Sequence, residues 1–99
     1  MRIAVTYANE DIFQHFGHTE QFKVYDVENG AIVASQVIDT NGSGHGALAG
    51  VLAALNADVL ICGGIGGGAQ MALATAGIKL YGGVSGNADA AVAAFLDGK

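Results

Sequence analysis

Three histidines, one cysteine and a run of glycines carry the chemistry available to this chain. His15 and His18 stand three apart, and His45 is flanked by Gly44 and Gly46. Cys62 opens the stretch Gly63-Gly64-Ile65-Gly66-Gly67-Gly68. Imidazole and thiolate are ligands for soft and borderline metals, and a thiolate also suits an iron–sulfur cluster. A helix N-terminus beyond the glycines would lower the Cys62 pKa and favour the thiolate. One thiol and three imidazoles cannot supply four thiolates, so any cluster would be incompletely ligated or shared between subunits. The glycines offer something different: backbone amides that face an anion, with the dipole of a following helix behind them.

Each feature also has a plainer account. Cys62 serves equally well as a small hydrophobe closing a strand. His15 and His18 fit ordinary loop histidines bonded to backbone, whereas His45, between glycines just ahead of a helix, is harder to place in a core. Asn9, Glu10 and Asp11 read as a solvated turn, with orientation of ligands or a hard-ion site as the alternative. Phe13 and Phe16 either wall a pocket or plug the sheet. Other chemistries lack their parts. No Lys follows either glycine loop, which removes the phosphate-binding motif, and Gly64-Ile65-Gly66-Gly67-Gly68 falls short of the dinucleotide spacing. Ser43 and Ser85 have no base and acid partners in sequence order, and the carboxylates are dispersed.

The elements that must position these groups follow from periodicity. Residues 2–7 alternate, with Ile3, Val5 and Tyr7 opposed to Arg2, Ala4 and Thr6, as in a strand. Residues 8–19 read as a polar and aromatic loop. Two further strands, 21–27 and 31–38, flank Asn29-Gly30, a pair that favours a type I′ hairpin turn. Residues 39–46 read as a loop. Leu48, Val51, Leu52 and Leu55 then form one helical stripe.

Residues 59–62 form a continuous apolar run, the mark of a strand covered on both faces. A helix from Ala69 to Ala76, stopped by Gly77, leads to a short strand at 78–81. A last helix has Asn87 as its cap and Asp89 in its first turn. Right-handed crossovers make the first, fourth and fifth strands parallel, and the hairpin makes the second antiparallel to the third. The expected architecture is α/β, with a five-stranded mixed sheet in the order 3-2-1-4-5 and helices on both faces. Such a sheet opens a crevice beyond the strand ends at its switch point. His15, His18, His45 and Cys62 all fall in segments gathered at that rim.

Composition sets the remaining bounds. The chain has 99 residues, 52% of them hydrophobic and only 13% charged, which suits one folded domain over 1–99. Its formal charge is −5, and its four basic residues are scattered. Binding to nucleic acid or to an anionic membrane surface is therefore not expected. The stretch 59–78 is long enough to span a bilayer, but its five clustered glycines point instead to strand, turn and helix. With no signal-peptide pattern, a cytoplasmic location is expected.

His15-Phe16-Gly17-His18, Phe22, Gly44-His45-Gly46 and above all Ile61-Cys62-Gly63-Gly64-Ile65-Gly66-Gly67-Gly68-Ala69 resemble the dinitrogenase iron–molybdenum cofactor biosynthesis family. That family includes nitrogenase accessory and cofactor-carrier proteins and small stand-alone relatives. The resemblance covers nearly the whole chain. It implies a three-layer α/β/α architecture with a ribonuclease-H-like motif and no nuclease chemistry. It also implies non-covalent binding, without turnover, of a metal–sulfur cluster or precursor of the iron–sulfur or iron–molybdenum type.

The contacts carried over are His15, His18, His45, Cys62 and the glycines Gly63, Gly64, Gly66, Gly67 and Gly68. The implied partner is a protein that donates or accepts the cluster, with this chain a monomer or homodimer. The negative charge of the chain opposes an anionic cluster at long range, so local amides must offset it. Two alternatives stand beside this reading. One is a small enzyme or sensor that uses the 63–68 loop for a phosphate or nucleotide ligand, and the other is an interaction module with a vestigial pocket.

Overall fold

The computed structural model describes residues 1–40 and 45–98, with the side chain of His45 outside that description. Three layers form around one mixed sheet. Its strands are β1 (Arg2–Ala8), β2 (Asp11–Ile12), β3 (Gln21–Glu28), β4 (Ala31–Asp39), β5 (Val59–Ile61) and β6 (Lys79–Tyr81), and its helices are α1 (His45–Ala54), α2 (Gly67–Thr75) and α3 (Ala88–Leu96). The sheet runs β4-β3-β1-β5-β6, with β2 paired to the end of β1. β1, β5 and β6 are mutually parallel, and β3 is antiparallel to both β1 and β4.

The strand periodicity divides the core in two, because successive side chains leave opposite faces. Ala4, Phe22, Val24 and Leu60 point to one face, where they meet Leu48 and Leu52 of α1 and Leu73 of α2. Ile3, Val5, Tyr25, Val59 and Ile61 point to the other, against Ala88 and Val92 of α3. Asn29 and Gly30, with φ of 52° and 78°, make the hairpin turn that their types favour. Asn87 caps α3 by accepting a hydrogen bond from Ala90 N at 2.9 Å.

Three expectations are corrected. The sheet has six strands rather than five, because residues 8–19 are not a plain loop. Asn9 and Glu10, with φ of 50° and 72°, turn the chain back so that β2 pairs with Tyr7 and Ala8. Glu10 disfavours that conformation by itself. It is held there by tertiary bonds, with Ala88 N donating to Glu10 O at 3.0 Å and Ile12 N donating to Gly86 O at 2.8 Å.

The second correction is that α2 begins at Gly67 rather than Ala69, so two loop glycines lie in its first turn. Third, α1 begins at His45, inside the segment 39–46 that reads as a loop. The loop expected over 39–46 lies outside the described residues from 41 to 44, and with it Ser43. Among the described residues, no helix is long and apolar enough to cross a membrane.

Candidate functional site

The site is built where the first long connection meets the glycine loop, beyond the carboxyl ends of β1 and β5. Residues 16–18 form a single 3₁₀ turn, in which His18 N donates to His15 O at 3.0 Å. His15, the extended N-cap of this turn with φ −122° and ψ 98°, and His18, its last residue, are both exposed. Phe16 anchors it: the ring is buried at 1% exposure and packs on Phe22 with centroids 6.3 Å apart. Phe13 meets the His15 ring edge-on at 6.2 Å.

Two backbone bonds stitch this turn to the glycine loop. Gly64 N donates to Gln14 O at 2.7 Å, and Phe16 N donates to Gly64 O at 3.1 Å. Thr6, fully buried, ties the base of the segment down, since its Oγ1 donates to Phe13 O at 2.7 Å. On the other side, Gly83 N donates to Gly63 O at 2.9 Å and Val84 N to Cys62 O at 3.0 Å. The glycine loop is thus held between two neighbouring segments.

Between turn and loop lies a groove of about 380 Å³ lined by His15, Phe16, Gly17, His18, Gly64, Ile65 and Gly66. Gly66 is also the N-cap of α2, and no side chain caps that helix. The first N–H groups of an α-helix have no acceptor within the helix, so the rim of the groove carries free donors and positive partial charge. A Cβ placed on Gly66, Gly67 or Gly68 would meet nothing within 4 Å. The space beside these three Cα atoms is open.

Cys62 stands apart. It is fully buried and shares its core with Phe16, Leu60 and Leu73, with Ile65 packed over them. Burial pushes its thiol up to about 11, so the lowering expected from the neighbouring helix N-terminus is overturned. The dipole acts over the first turn, while desolvation of a thiolate in this apolar core is the larger effect. The groove lining does not include Cys62. His45 is the first residue of α1, a helix that packs against the 16–18 turn. Its imidazole lies outside the described residues. Among the described residues, no three His, Cys, Asp or Glu side chains gather closely enough to hold a metal ion.

A second hollow of about 360 Å³ lies on the opposite face between α3 and β6. Its walls are Tyr81, Val84, Phe95 and alanines of α3, without an imidazole or thiol. Of these two hollows, the groove is the one lined by imidazoles, and it is the candidate site.

A family model described as dinitrogenase iron-molybdenum cofactor matches residues 1–98. The chain belongs to this family. Among its relatives is the uncharacterized protein MJ0580 of Methanocaldococcus jannaschii, 30% identical over all of this chain and 88% of that protein. The crystal structure of PH0822 superposes with a TM-score of 0.95 at 26% identity, covering 100% of this chain and 91% of that one. The apo form of the orange protein from Desulfovibrio gigas superposes with a TM-score of 0.83 at 36% identity, covering 98% and 88%.

One residue of this dinitrogenase-cofactor family member escapes sequence reasoning. Gln14 lies over Gly63, where an added Cβ would come within 2.7 Å of the Gln14 Cα and 2.8 Å of its side chain. Gln14 Nε2 also donates to Val84 O and Ile12 O, both at 3.1 Å. Gln14 thus joins three segments under the groove. Its type and position carry no signal of this role, because the partners are distant in sequence.

Proposed function

We propose that this protein is a cytoplasmic carrier that holds a preformed metal–sulfur cluster or its precursor as cargo. The cargo is of the iron–sulfur or iron–molybdenum type, and it passes to or from a donor or acceptor protein without turnover. One observation carries the reading: His15 and His18 line one groove with Gly66, the N-cap of a glycine-rich helix start that no side chain caps. Family membership supports the class of cargo, and the ribonuclease-H-like reading of the architecture accords with it.

The donor set decides how cargo is held. A bare cation needs several converging ligands, which the described residues do not bring together. An anionic cluster needs hydrogen-bond donors and positive partial charge, and the groove offers both. His15 and His18 would contact it from the turn, and Gly66, Gly67 and Gly68 through their amides, while Gly64, whose N–H is bonded to Gln14 O, would line the groove beside it. His45 is proposed as a further contact from the start of α1. Gly63 keeps the loop tight against Gln14, and Cys62 supports the groove from the core below.

Anaerobic loading with iron and sulfide, or with a molybdenum–iron–sulfur species, tests this. Charge-transfer absorption should appear in stoichiometric amount and be lost in His15→Ala and His18→Ala with unchanged circular dichroism. Cys62→Ala should load like the parent, and its failure to load would return the thiolate to the ligand set. Saturable binding of inorganic phosphate with no cluster uptake would refute the carrier reading.

A further inference from the structure

β4 is the longest strand and forms one outer edge of the sheet, and eight of its nine residues are exposed. Which of its backbone groups face outward follows from the ladder. Thr40 N donates to Glu20 O at 2.9 Å on the β4 side, while Val27 N donates to Met1 O at 2.8 Å on the β1 side. Bonded pairs alternate along an antiparallel ladder. Phe22, Val24 and Asp26 therefore bond to their β4 partners Ile38, Gln36 and Ala34. The N–H and C=O groups of Ser35, Val37 and Asp39 are left pointing away from the sheet.

Sheet edges are ordinarily guarded by lysine, proline, a charge or short length. β6, at the other edge, has only three residues. β4 contains no lysine and no proline, and its one charged residue is the terminal Asp39. Its bulge lies at the hairpin end, opposite Asp26 and Val27, which leaves 34–39 regular. Ile32, Val33 and Val37 are 41%, 56% and 46% exposed. The edge is an open template with apolar side chains.

Charge selects the occupant. Exposed acids frame the strand, Glu28 at the hairpin end and Glu20 and Asp39 at the other. The cations of the neighbouring strands are already engaged: Arg2 pairs with Asp26 at 2.7 Å and Lys23 with Asp89 at 2.8 Å. A second copy pairing antiparallel would set Asp39 of each chain toward the acidic hairpin end of the other, between molecules of charge −5. We infer that β4 takes an added strand from a partner protein, an extended segment apolar in its middle and basic at both ends. β4 runs parallel to β1, so its Asp39 end lies at the groove end of the sheet. There Thr40 Oγ1 donates to Thr19 O at 3.2 Å, one residue beyond His18. The docked segment would reach the groove wall. The inference concerns a separate surface and stands whether or not the groove holds a cluster.

The probe is a labelled peptide as long as β4, alternating valine and threonine, with lysine at both ends. It should bind saturably by fluorescence anisotropy, protect the Ser35 and Val37 amides from hydrogen exchange, and weaken with salt. Its glutamate-ended counterpart should bind at least roughly tenfold more weakly, about 1.4 kcal/mol. Ser35→Pro and Val37→Pro remove outward N–H groups and spare the β3 ladder, so they should keep the fold and lose the peptide. Glu28→Lys with Asp39→Lys should reverse the preference between the two peptides, which keeps the proposal testable if the prolines unfold the chain. Equal binding of both peptides, absence of binding, or dimerisation of the protein through β4 in sedimentation velocity would overturn it.

Discussion

Replacing single glycines of the 63–68 loop with alanine separates what the fold requires from what a ligand requires. At Gly63 the new methyl would lie 2.7 Å from the Gln14 Cα and 2.8 Å from its Cδ and Oε1. The Gln14 backbone cannot give way cheaply, because its carbonyl accepts from Gly64 N at 2.7 Å and Phe13 is bonded to Thr6. Overpacking of this kind costs about 1–3 kcal/mol. Loss of one stitching bond adds about 1 kcal/mol, so Gly63→Ala should destabilise by roughly 2–4 kcal/mol. At Gly67 and Gly68 the methyl meets nothing within 4 Å, and both residues are already helical. Alanine there should leave stability equal or raise it, by up to about 1 kcal/mol.

Under the proposed function, the same methyls would crowd a cluster held by the amides at the start of α2. Hydrogen bonds to charged groups are worth about 1.5–3 kcal/mol, so cluster affinity should fall roughly ten- to a hundredfold. Urea unfolding with an unchanged m-value measures the first effect and anaerobic loading the second. Full stability in Gly63→Ala would refute the packing argument. Undiminished loading in both Gly67→Ala and Gly68→Ala would refute the role given to the amides.

Three further outcomes test other parts of the structure. Cys62, buried and with its thiol pushed up to about 11, should resist iodoacetamide at pH 8 in the native protein and react after unfolding; rapid native labelling by mass spectrometry would contradict its place in the core. Glu10→Gly relieves a left-handed residue at φ 72° and should stabilise the protein by about 0.5–1 kcal/mol in thermal melts, whereas a lower melting temperature would show that Glu10 is held there by its side chain. The Asp89 carboxyl is held below the usual range by hydrogen bonds from Lys23 and then Tyr25. Its contribution is complete above the ordinary carboxylate value of about 3.9 and is lost as pH falls through the lowered one. Asp89→Asn should flatten the acid limb of stability against pH, and parallel limbs in the two proteins would refute that account.

What could be read in advance was local. The alternation of Ile3 and Val5 with Ala4 and Thr6 needs no partner to be recognised as a strand, and Asn29-Gly30 and Asn87 take conformations their types prefer. What could not be read was imposed from a distance. Glu10 adopts a positive φ because α3 and the 82–86 loop bond across to it, and nothing in its type announces this. His15 and His18 line one groove because the chain between them turns at Phe16, which is anchored on Phe22. Cys62 carried two opposing expectations, and its depth in the core could not be read from its neighbours in sequence. β4 carries apolar and polar residues on both of its faces, a pattern that does not say whether a helix lies across it, and among the described residues none covers it.

Under the proposed carrier function, retention and release place opposite demands on the groove, which would meet them by what it lacks. A thiolate bond to iron would have to be broken at every hand-over, whereas amide and imidazole contacts can be exchanged one at a time for a partner's. Keeping the one cysteine protonated beneath Phe16 and Ile65 removes the strongest competitor for the cargo. The same choice places the whole burden on positioned donors. That is why the loop is stitched from both sides while Gly66, Gly67 and Gly68 remain bare. A net charge of −5 opposes an anionic cluster outside the groove and favours its departure once the contacts are broken. Retention should therefore strengthen with salt, since screening weakens the long-range repulsion more than the short contacts. A cluster held mainly by long-range attraction would show the reverse, and dissociation rates measured across ionic strength distinguish the two.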